Sequence, residues 1–275
     1  MRTLWTIAAF AIAVVLTASS VWADSIISKG SDTVLPLAQR EAEAFMDKYP
    51  EHSITVVGGG SGVGIAALID GTTDIANASR GMKPKEKRLA RKGSIKPLEH
   101  VIARDALLVI VHPSNPISKL TFKQLEKIFT GDIKNWKDVG GPAKPIVIYS
   151  RDSSSGTYVF FKEKVLHKRE YAPTALLQPS NGAIVQAVSQ TEGAIGYVGL
   201  AYLTKNVKAL AVSEEGDAYI APSMETAKKG TYPITRALYM YTNGEPKGLT
   251  KLFLDFILSK EGQKIVEQIG YIPVK

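Results

Sequence analysis

The sequence predicts an α/β fold in which each sheet is mostly parallel and flanked by helices. Short apolar runs alternate with segments of helical periodicity along nearly the whole chain. Several of these runs lead through Gly- and Ser-rich loops straight into a helical segment, which is typical of parallel strands. With 275 residues and 45% hydrophobic content, the chain is long enough for one large domain or two smaller ones.

The predicted elements follow from local patterns in chain order. Strands are predicted at 26–27, 53–57, 74–78, 99–111, 146–149, 193–198 and 237–241. Helices are predicted from 33 to about 48, from the glycines of 58–62 to about 70, and at 122–129, 156–166, 183–189, 249–258 and 261–269. The first helix has its apolar residues on one stripe. Pro113 and Pro116 end the long β run, and Gly131 closes the helix at 122–129.

The N-terminus has the pattern of a secretory signal peptide. Arg2 precedes an apolar run from Leu4 to Leu16, and small and polar residues lead to Ala23. The run is shorter than the roughly 20 residues needed to cross a bilayer. We expect cleavage after Ala23, which leaves an exported chain of 252 residues, with an uncleaved anchor as the alternative.

Composition excludes several kinds of site. The absence of cysteine excludes disulfides, thiolate metal ligands, cysteine nucleophiles and a lipid-modified N-terminal cysteine. The four histidines are scattered, with no pair at metal-ligand spacing, so neither a metal nor a cofactor is expected. The net charge of +8 is compatible with an anionic partner, or with a lysine-rich surface that only favours solubility.

One structural context occurs three times: a strand, a loop of Gly and Ser, and then a helix. The loops span residues 29–33, 58–64 and 151–157. The first turn of a helix has free amide N–H groups and a partial positive charge, and glycine lets a ligand approach the backbone. Hydroxyl groups and Arg151 add further donors. Together the loops predict a site for a small tetrahedral oxyanion, although each alone could be an ordinary helix cap.

Nucleotide and hydrolase motifs do not fit these loops. The segment 58–65 has no G-x-G-x-x-G spacing, and Ile65 stands where a P-loop requires Lys. A nucleophile elbow that starts at Gly59 would end on Val63 instead of Gly. A secreted phosphate-ester hydrolase that uses Ser61 or Ser155 therefore remains only as an alternative.

Six segments together carry a resemblance to a known family. They are 29–33, 58–65, 73–80 (TDIANASR), 121–136 (TFKQLEKIFTGDIKNW), 151–157 and 193–198 (GAIGYV). With these segments in this order, the chain resembles the phosphate-binding component of bacterial high-affinity phosphate ABC transporters. The resemblance covers nearly all of the predicted mature chain.

The resemblance implies a type II periplasmic-binding-protein fold, in which two α/β lobes hold an anion in the cleft between them. The chain would cross near 103–105 and 235–237, so that residues 24–104 plus 236–275 form lobe one and residues 105–235 form lobe two. It implies a monomeric, periplasmic, non-enzymatic protein that binds inorganic phosphate and delivers it to ABC permease subunits, with no nucleic-acid partner. The implied phosphate-binding residues are Ser31, Asp32, Thr33, Ser61, Ser79 and Arg80 of lobe one, and Arg151, Ser155, Gly156 and Thr157 of lobe two.

Two departures from the family concern selectivity. Many members have Asp where this chain has Arg80, and that Asp accepts the proton of phosphate and rejects sulfate. Many also have Asp at the position of Ser153, whereas here the neighbouring acid is Asp152. Asp32 is the expected replacement acceptor, with a cap of the first helix as its alternative role. Molybdate, tungstate or sulfate are alternative ligands, and a sensor or adhesive scaffold is an alternative function.

Overall fold

The computed structural model describes residues 24–275, so the predicted signal peptide lies outside the described residues. The strands of this part are β1 (Ser25–Gly30), β2 (Ser53–Val57), β3 (Ile75–Ala78), β4 (Pro97–Val111), β5 (Lys119–Thr121), β6 (Val147–Arg151), β7 (Leu176–Gln178), β8 (Ala194–Gly199), β9 (Lys208–Ala209), β10 (Ala211–Ser213) and β11 (Thr235–Asn243). Its helices are α1 (Leu35–Lys48), α2 (Ser61–Ile69), α3 (Pro84–Lys92), α4 (Phe122–Phe129), α5 (Gly156–Lys164), α6 (Asn181–Gln190), α7 (Met224–Lys228), α8 (Gly248–Ile257) and α9 (Lys260–Ile269). None of these helices combines the length and the apolar character that crossing a bilayer requires.

Nine strands form one sheet, in the order β2-β1-β3-β11-β4-β8-β6-β7, with β9 beside β4. Within this sheet, every antiparallel pair includes β4 or β11, and the other pairs are parallel. A separate parallel pair consists of β5 and β10. The predicted α/β class with mostly parallel strands is therefore confirmed, and β4 and β11 are the strands that depart from it.

The long strand β4 changes partner along its length and so joins the two halves of the sheet. Residues up to Ala106 pair with β11, and Leu107 to Val111 pair with β8. Arg236 of β11 lies opposite Asp105 of β4. The two segments at which the sequence predicts crossings are thus direct neighbours in the sheet.

The buried apolar residues form separate cores on the two sides of this junction. One core contains residues from Ala106 to Ile234, together with Ile272 near the C-terminus. A second core contains residues from Ile26 to Ala103 and from Leu238 to Tyr271, and a smaller cluster packs under α2 and α3. This separation favours the predicted lobe boundaries, which remain a prediction.

The differences from the predicted elements have local causes. β2 and α4 have the predicted bounds. α6 begins two residues before its predicted start, because Ser180 Oγ accepts from the Ala183 amide at 3.0 Å and caps the helix there. α3 was not predicted, because Ala90 is its only buried residue and no apolar stripe marks it. The short β5, β7, β9, β10 and α7 are too brief to show periodicity.

One carboxyl group is buried in α1 without a partner. Glu41 is 0% exposed, and neither of its carboxylate oxygens has a hydrogen-bond partner among residues 24–275. Burial raises the pKa of Glu41 well above its usual value of 4.5. The folded protein therefore keeps this carboxyl protonated at pH values where the unfolded chain has already ionised it.

Glu41→Gln should stabilise the protein increasingly as the pH rises above 4.5. Below that pH the carboxyl is protonated in both the folded and the unfolded state, so its ionisation does not change the free energy of unfolding. Above it, the wild type loses about 1.4 kcal/mol relative to the variant for each pH unit, until the raised folded pKa is reached. Denaturant unfolding across this pH range measures the difference. The exposed neighbour variant Glu43→Gln is the control, and a stability difference independent of pH would contradict the prediction.

Candidate anion-binding site

The first turns of α2 and α5 contact each other directly. Ser61 begins α2, and its Oγ accepts a hydrogen bond from the Ser79 amide at 3.0 Å. Gly156 begins α5, and a Cβ atom added there would lie 2.3 Å from Ser61 Oγ and 2.6 Å from Ser79 Oγ. Only glycine fits without displacing these hydroxyls. Two helix N-termini, whose first amides have no intrahelical partner, therefore meet beside two serine hydroxyls.

Hydrogen bonds bring all three predicted loops together. Thr33 Oγ1 and Thr157 Oγ1 are 2.8 Å apart, and both side chains are buried. The Gly62 amide donates to the Ser154 carbonyl oxygen at 2.9 Å, and Ser154 Oγ donates to the Gly59 carbonyl oxygen at 3.2 Å. The loop at 151–157 therefore contacts both of the other loops.

Arg151 ends β6 as a buried cation, with 1% of its surface exposed. Its Nη2 donates to the Pro179 carbonyl oxygen at 2.8 Å, and its Nη1 lies 3.2 Å from Asp32 Oδ2. Among the described residues, Nε and Nη1 have no partner with hydrogen-bond geometry. Asp152 does not pair with Arg151; its Oδ1 instead accepts from the Ser154 amide at 2.8 Å. Nε is thus a buried donor available to an anion, whereas Nη1 is shared with Asp32 as an ion pair.

Asp32 lies between Arg151 and the N-terminus of α6. Its Oδ2 accepts from the Asn181 amide at 2.9 Å and from Asn181 Nδ2 at 2.7 Å. Because a helix N-terminus favours negative charge, the carboxylate acts as an internal anion for α6. The alternative role as a cap of α1 is wrong: α1 begins at Leu35, and its N-cap Val34 makes no side-chain capping bond.

Arg80 is held by an acid from α3. Its Nη1 and Nη2 donate to Glu86 at 2.8 and 2.6 Å, and its Nε has no hydrogen-bond partner within residues 24–275. Burial raises the pKa of Glu86, but hydrogen bonds from Arg80 and the Lys83 amide outweigh burial and hold it below its usual value. Arg80 is therefore fixed in place as a charge-compensated donor near Gly62.

The other two predicted hydroxyl residues are also buried in these loops. Ser155 Oγ accepts from the amides of Thr157 and Tyr158 at 3.1 and 3.3 Å, which caps α5. An accepting hydroxyl can still donate its own hydrogen to a ligand. The Ser31 amide donates to the Asn77 carbonyl oxygen at 2.8 Å, which fixes the first loop against β3.

Two residues that contact the predicted ones were not predicted. Arg236 donates from Nε and Nη2 to Asp105 Oδ2 at 3.1 and 2.7 Å, and its Nη2 lies 3.4 Å from Thr33 Oγ1. Burial raises the pKa of Asp105, and the charge of Arg236 opposes that rise. Asn181 could have been found from sequence, because it follows Ser180, which caps α6 as Ser155 caps α5. Arg236 lies within a strand and has no such local signal.

The mostly parallel sheet with its flanking helices has the fold of the type II periplasmic binding proteins. Residues 17–261 match a family model described as a PBP superfamily domain. The phosphate-binding protein PstS of Pseudomonas aeruginosa is 38% identical over 268 residues, which cover 91% of this chain and 83% of the relative. PstS of Bacillus subtilis is 36% identical over 251 residues, which cover 91% and 81%.

Solved structures agree with this assignment. A putative phosphate ABC transporter substrate-binding protein with bound phosphate, from Clostridium perfringens, is 35% identical with a TM-score of 0.84, covering 92% of this chain and all of that one. An ABC-type phosphate transport receptor from Vibrio cholerae is 30% identical with a TM-score of 0.74, covering 90% and 99%. The chain belongs to the PstS family of phosphate-binding proteins. This is a family of transporter substrate-binding proteins, so the hydrolase alternative is wrong.

Gly156→Ala should separate the first turns of α2 and α5. The added methyl group would overlap Ser61 Oγ and Ser79 Oγ, and overpacking of this kind costs about 1–3 kcal/mol. We expect a lower melting temperature and a larger radius of gyration by X-ray scattering.

Gly182→Ala is the matched control, because its added methyl group would come no closer than 3.8 Å to another residue, at Ser180 Oγ. It lies in the first turn of α6 and should leave both measurements nearly unchanged. Equal behaviour of the two variants would show that the contact between α2 and α5 is not tight.

Proposed function

We propose that the protein binds inorganic phosphate where the three loops meet and delivers it to the permease of an ABC transporter. The observation that carries this proposal is the buried Arg151 guanidinium, whose Nε and Nη1 lack hydrogen-bond partners among residues 24–275. Phosphate oxygens would accept from these nitrogens, and the adjacent helix N-termini would stabilise their charge. The phosphate-binding relatives and the phosphate-bound structure of one of them support this ligand.

The proposed contacts divide into three kinds. Arg80 and Arg151 supply cationic donors, and Gly156 supplies a backbone amide at the start of α5. Hydroxyl groups come from Ser31, Thr33, Ser61, Ser79, Ser155 and Thr157, all of which are buried. Thr33 and Thr157 share one hydrogen bond, so one of these two hydroxyls at a time has its hydrogen free for phosphate. Asp32 supplies the one acceptor, for a hydrogen bond from the protonated oxygen of phosphate.

The proposal includes two lobes, residues 24–104 plus 236–275 and residues 105–235. The two main cores support this division. The bond between Thr33 and Thr157 would then cross the cleft, as would the contact between Gly62 and Ser154. Phosphate that contacts both lobes would favour the closed arrangement over an open one.

Permease delivery, a periplasmic location and a monomeric state belong to the same proposal. Its support is the predicted signal peptide, together with relatives named as a phosphate ABC transporter substrate-binding protein and an ABC-type phosphate transport receptor. In this arrangement the protein performs no covalent chemistry and cycles between free and ligand-bound forms.

Phosphate should stabilise dialysed mature protein by about 4 kcal/mol at a thousandfold excess over its dissociation constant, because ligand binds only the folded state. Thermal unfolding with a panel of phosphate, sulfate, molybdate and tungstate tests this expectation. A shift with molybdate or sulfate and none with phosphate would reassign the ligand to another oxyanion.

Arg151→Ala locates the binding in the proposed site. The variant should bind phosphate more weakly by roughly 2–4 kcal/mol, because charge-assisted hydrogen bonds are lost. Calorimetry measures the change. Arg169→Ala is the control, since Arg169 is an exposed partner of Glu126 and Asp132. Equal affinities of the two variants would place phosphate elsewhere.

Asp32 is suited to distinguish phosphate from sulfate. Its Oδ2 is occupied by Asn181 and Arg151, whereas Oδ1 makes no hydrogen bond within the described part of the chain. Near neutral pH phosphate retains a proton, and its O–H group could donate a hydrogen bond to Oδ1. Sulfate has no such proton, and its oxygens would repel the carboxylate.

Asp32→Asn should reduce the ratio of phosphate to sulfate affinity by about tenfold or more, because the repulsion of sulfate is lost. Titration of both anions at one pH measures the ratio, with Asp132→Asn as an exposed control. If Asp32 only orients Asn181 and Arg151, both affinities will fall together and the ratio will not change.

A further inference from the structure

The positive charge of the protein is concentrated in one short segment. Residues 83–96 contain seven Lys and Arg and a single acid, Glu86. The whole sequence has 34 Lys and Arg, and one of them, Arg2, lies outside the described residues. The described chain outside this segment therefore has 26 basic and 25 acidic residues. Apart from this segment, which includes α3, the described protein is nearly neutral.

The cations of this segment are exposed and unpaired. We call them the basic face: Lys83, Lys85, Lys87, Arg88, Arg91, Lys92 and Lys96, all of which are exposed. None of them takes part in an ion pair within residues 24–275. Glu86, the acid among them, is bound to Arg80 instead. Their charge is therefore uncompensated at the surface.

Apolar surface lies among these charges. Leu89 is 46% exposed on α3, whereas Ala90 is buried and anchors the helix. Between α3 and β4 lies a cavity of about 340 Å³, which is lined by Met82, Lys87, Arg91, Lys96, Pro97, Glu99 and Tyr241. Glu99, which accepts a hydrogen bond from Tyr241 at 2.6 Å, is the one acid among these residues, against three cations.

We propose that the basic face, with Leu89, binds the anionic headgroups of a phospholipid surface. Five of the seven cations lie on α3, a helix of about 14 Å, and Lys83 and Lys96 flank it, so the charge matches an extended anionic layer better than one small anion. Each cation near such a surface raises the binding constant about fivefold. The exposed leucine can insert at the headgroup boundary, as in amphipathic helices that lie on membranes.

This surface is independent of phosphate binding but lies close to the proposed site. Glu86 of α3 holds Arg80 through two hydrogen bonds. A protein bound to the membrane through α3 would therefore keep Arg80, and the loops beside it, near the bilayer. Such binding would concentrate the protein where a membrane transporter has to be found.

Sedimentation of mature protein with vesicles tests the proposal. The protein should bind vesicles that contain phosphatidylglycerol, not vesicles of phosphatidylcholine alone, and high salt should release it. The triple variant Lys87→Gln, Arg91→Gln, Lys96→Gln should bind at least tenfold more weakly. The charge-matched control Lys228→Gln, Lys229→Gln, Lys251→Gln changes ion-paired lysines of α7, its C-cap and α8, and it should bind like the wild type.

Three results would overturn the proposal: no vesicle binding, equal binding to both vesicle types, or equal loss in the two triple variants. Release of the protein from vesicles by free glycerol phosphate, at concentrations too low to change the ionic strength, would also overturn it. That result would indicate a site for a single small anion. The phosphate-induced thermal shift should be unchanged in the basic-face variant. A missing shift in the wild type would count against the proposed function and leave the vesicle result unaffected.

Discussion

The arrangement of the loops depends on one ion pair, between the buried Arg151 guanidinium and Asp32. A charge removed from water must be compensated nearby, and here the Asp32 carboxylate compensates Arg151. Asn181, 149 positions after Asp32, donates two hydrogen bonds that fix this carboxylate. Asp32 is held in turn by the N-terminus of α6. This compensation leaves Nε of Arg151 without a hydrogen-bond partner among residues 24–275, which is the observation behind the proposed anion site.

The junction of the sheet is connected to this site by direct contacts. Arg236 and Asp105 pair where β4 and β11 run side by side, and Arg236 also approaches Thr33. Thr33 contacts Thr157 from the opposite loop. A change in the angle between the two halves of the sheet therefore alters the distances among the donor groups. In the proposed two-lobed arrangement, these contacts would couple lobe closure to the positions of the donor groups.

Much of the fold was predictable because its signals are local. Alternating apolar residues and glycine-rich turns located most strands, and a Thr-x-x-Gln capping box marks the start of α4. The same reasoning failed for α3, whose nine residues bury only Ala90. Its exposed cations nevertheless carry most of the net positive charge of the described chain. Contacts with residues distant in the sequence position such a helix, and local sequence patterns do not identify those residues.

By itself, the sequence determined which segments form strands and helices, where the donor-rich loops lie, and which family the chain resembles. These properties depend on contacts within a few residues or on motifs in a fixed order. Only the tertiary structure decided that Asp32 pairs with Arg151 and Asn181 instead of capping α1, and that Gly156 lies against Ser61. Those contacts join residues about a hundred or more positions apart, and sheet order and strand register, set by packing of the whole chain, bring them together.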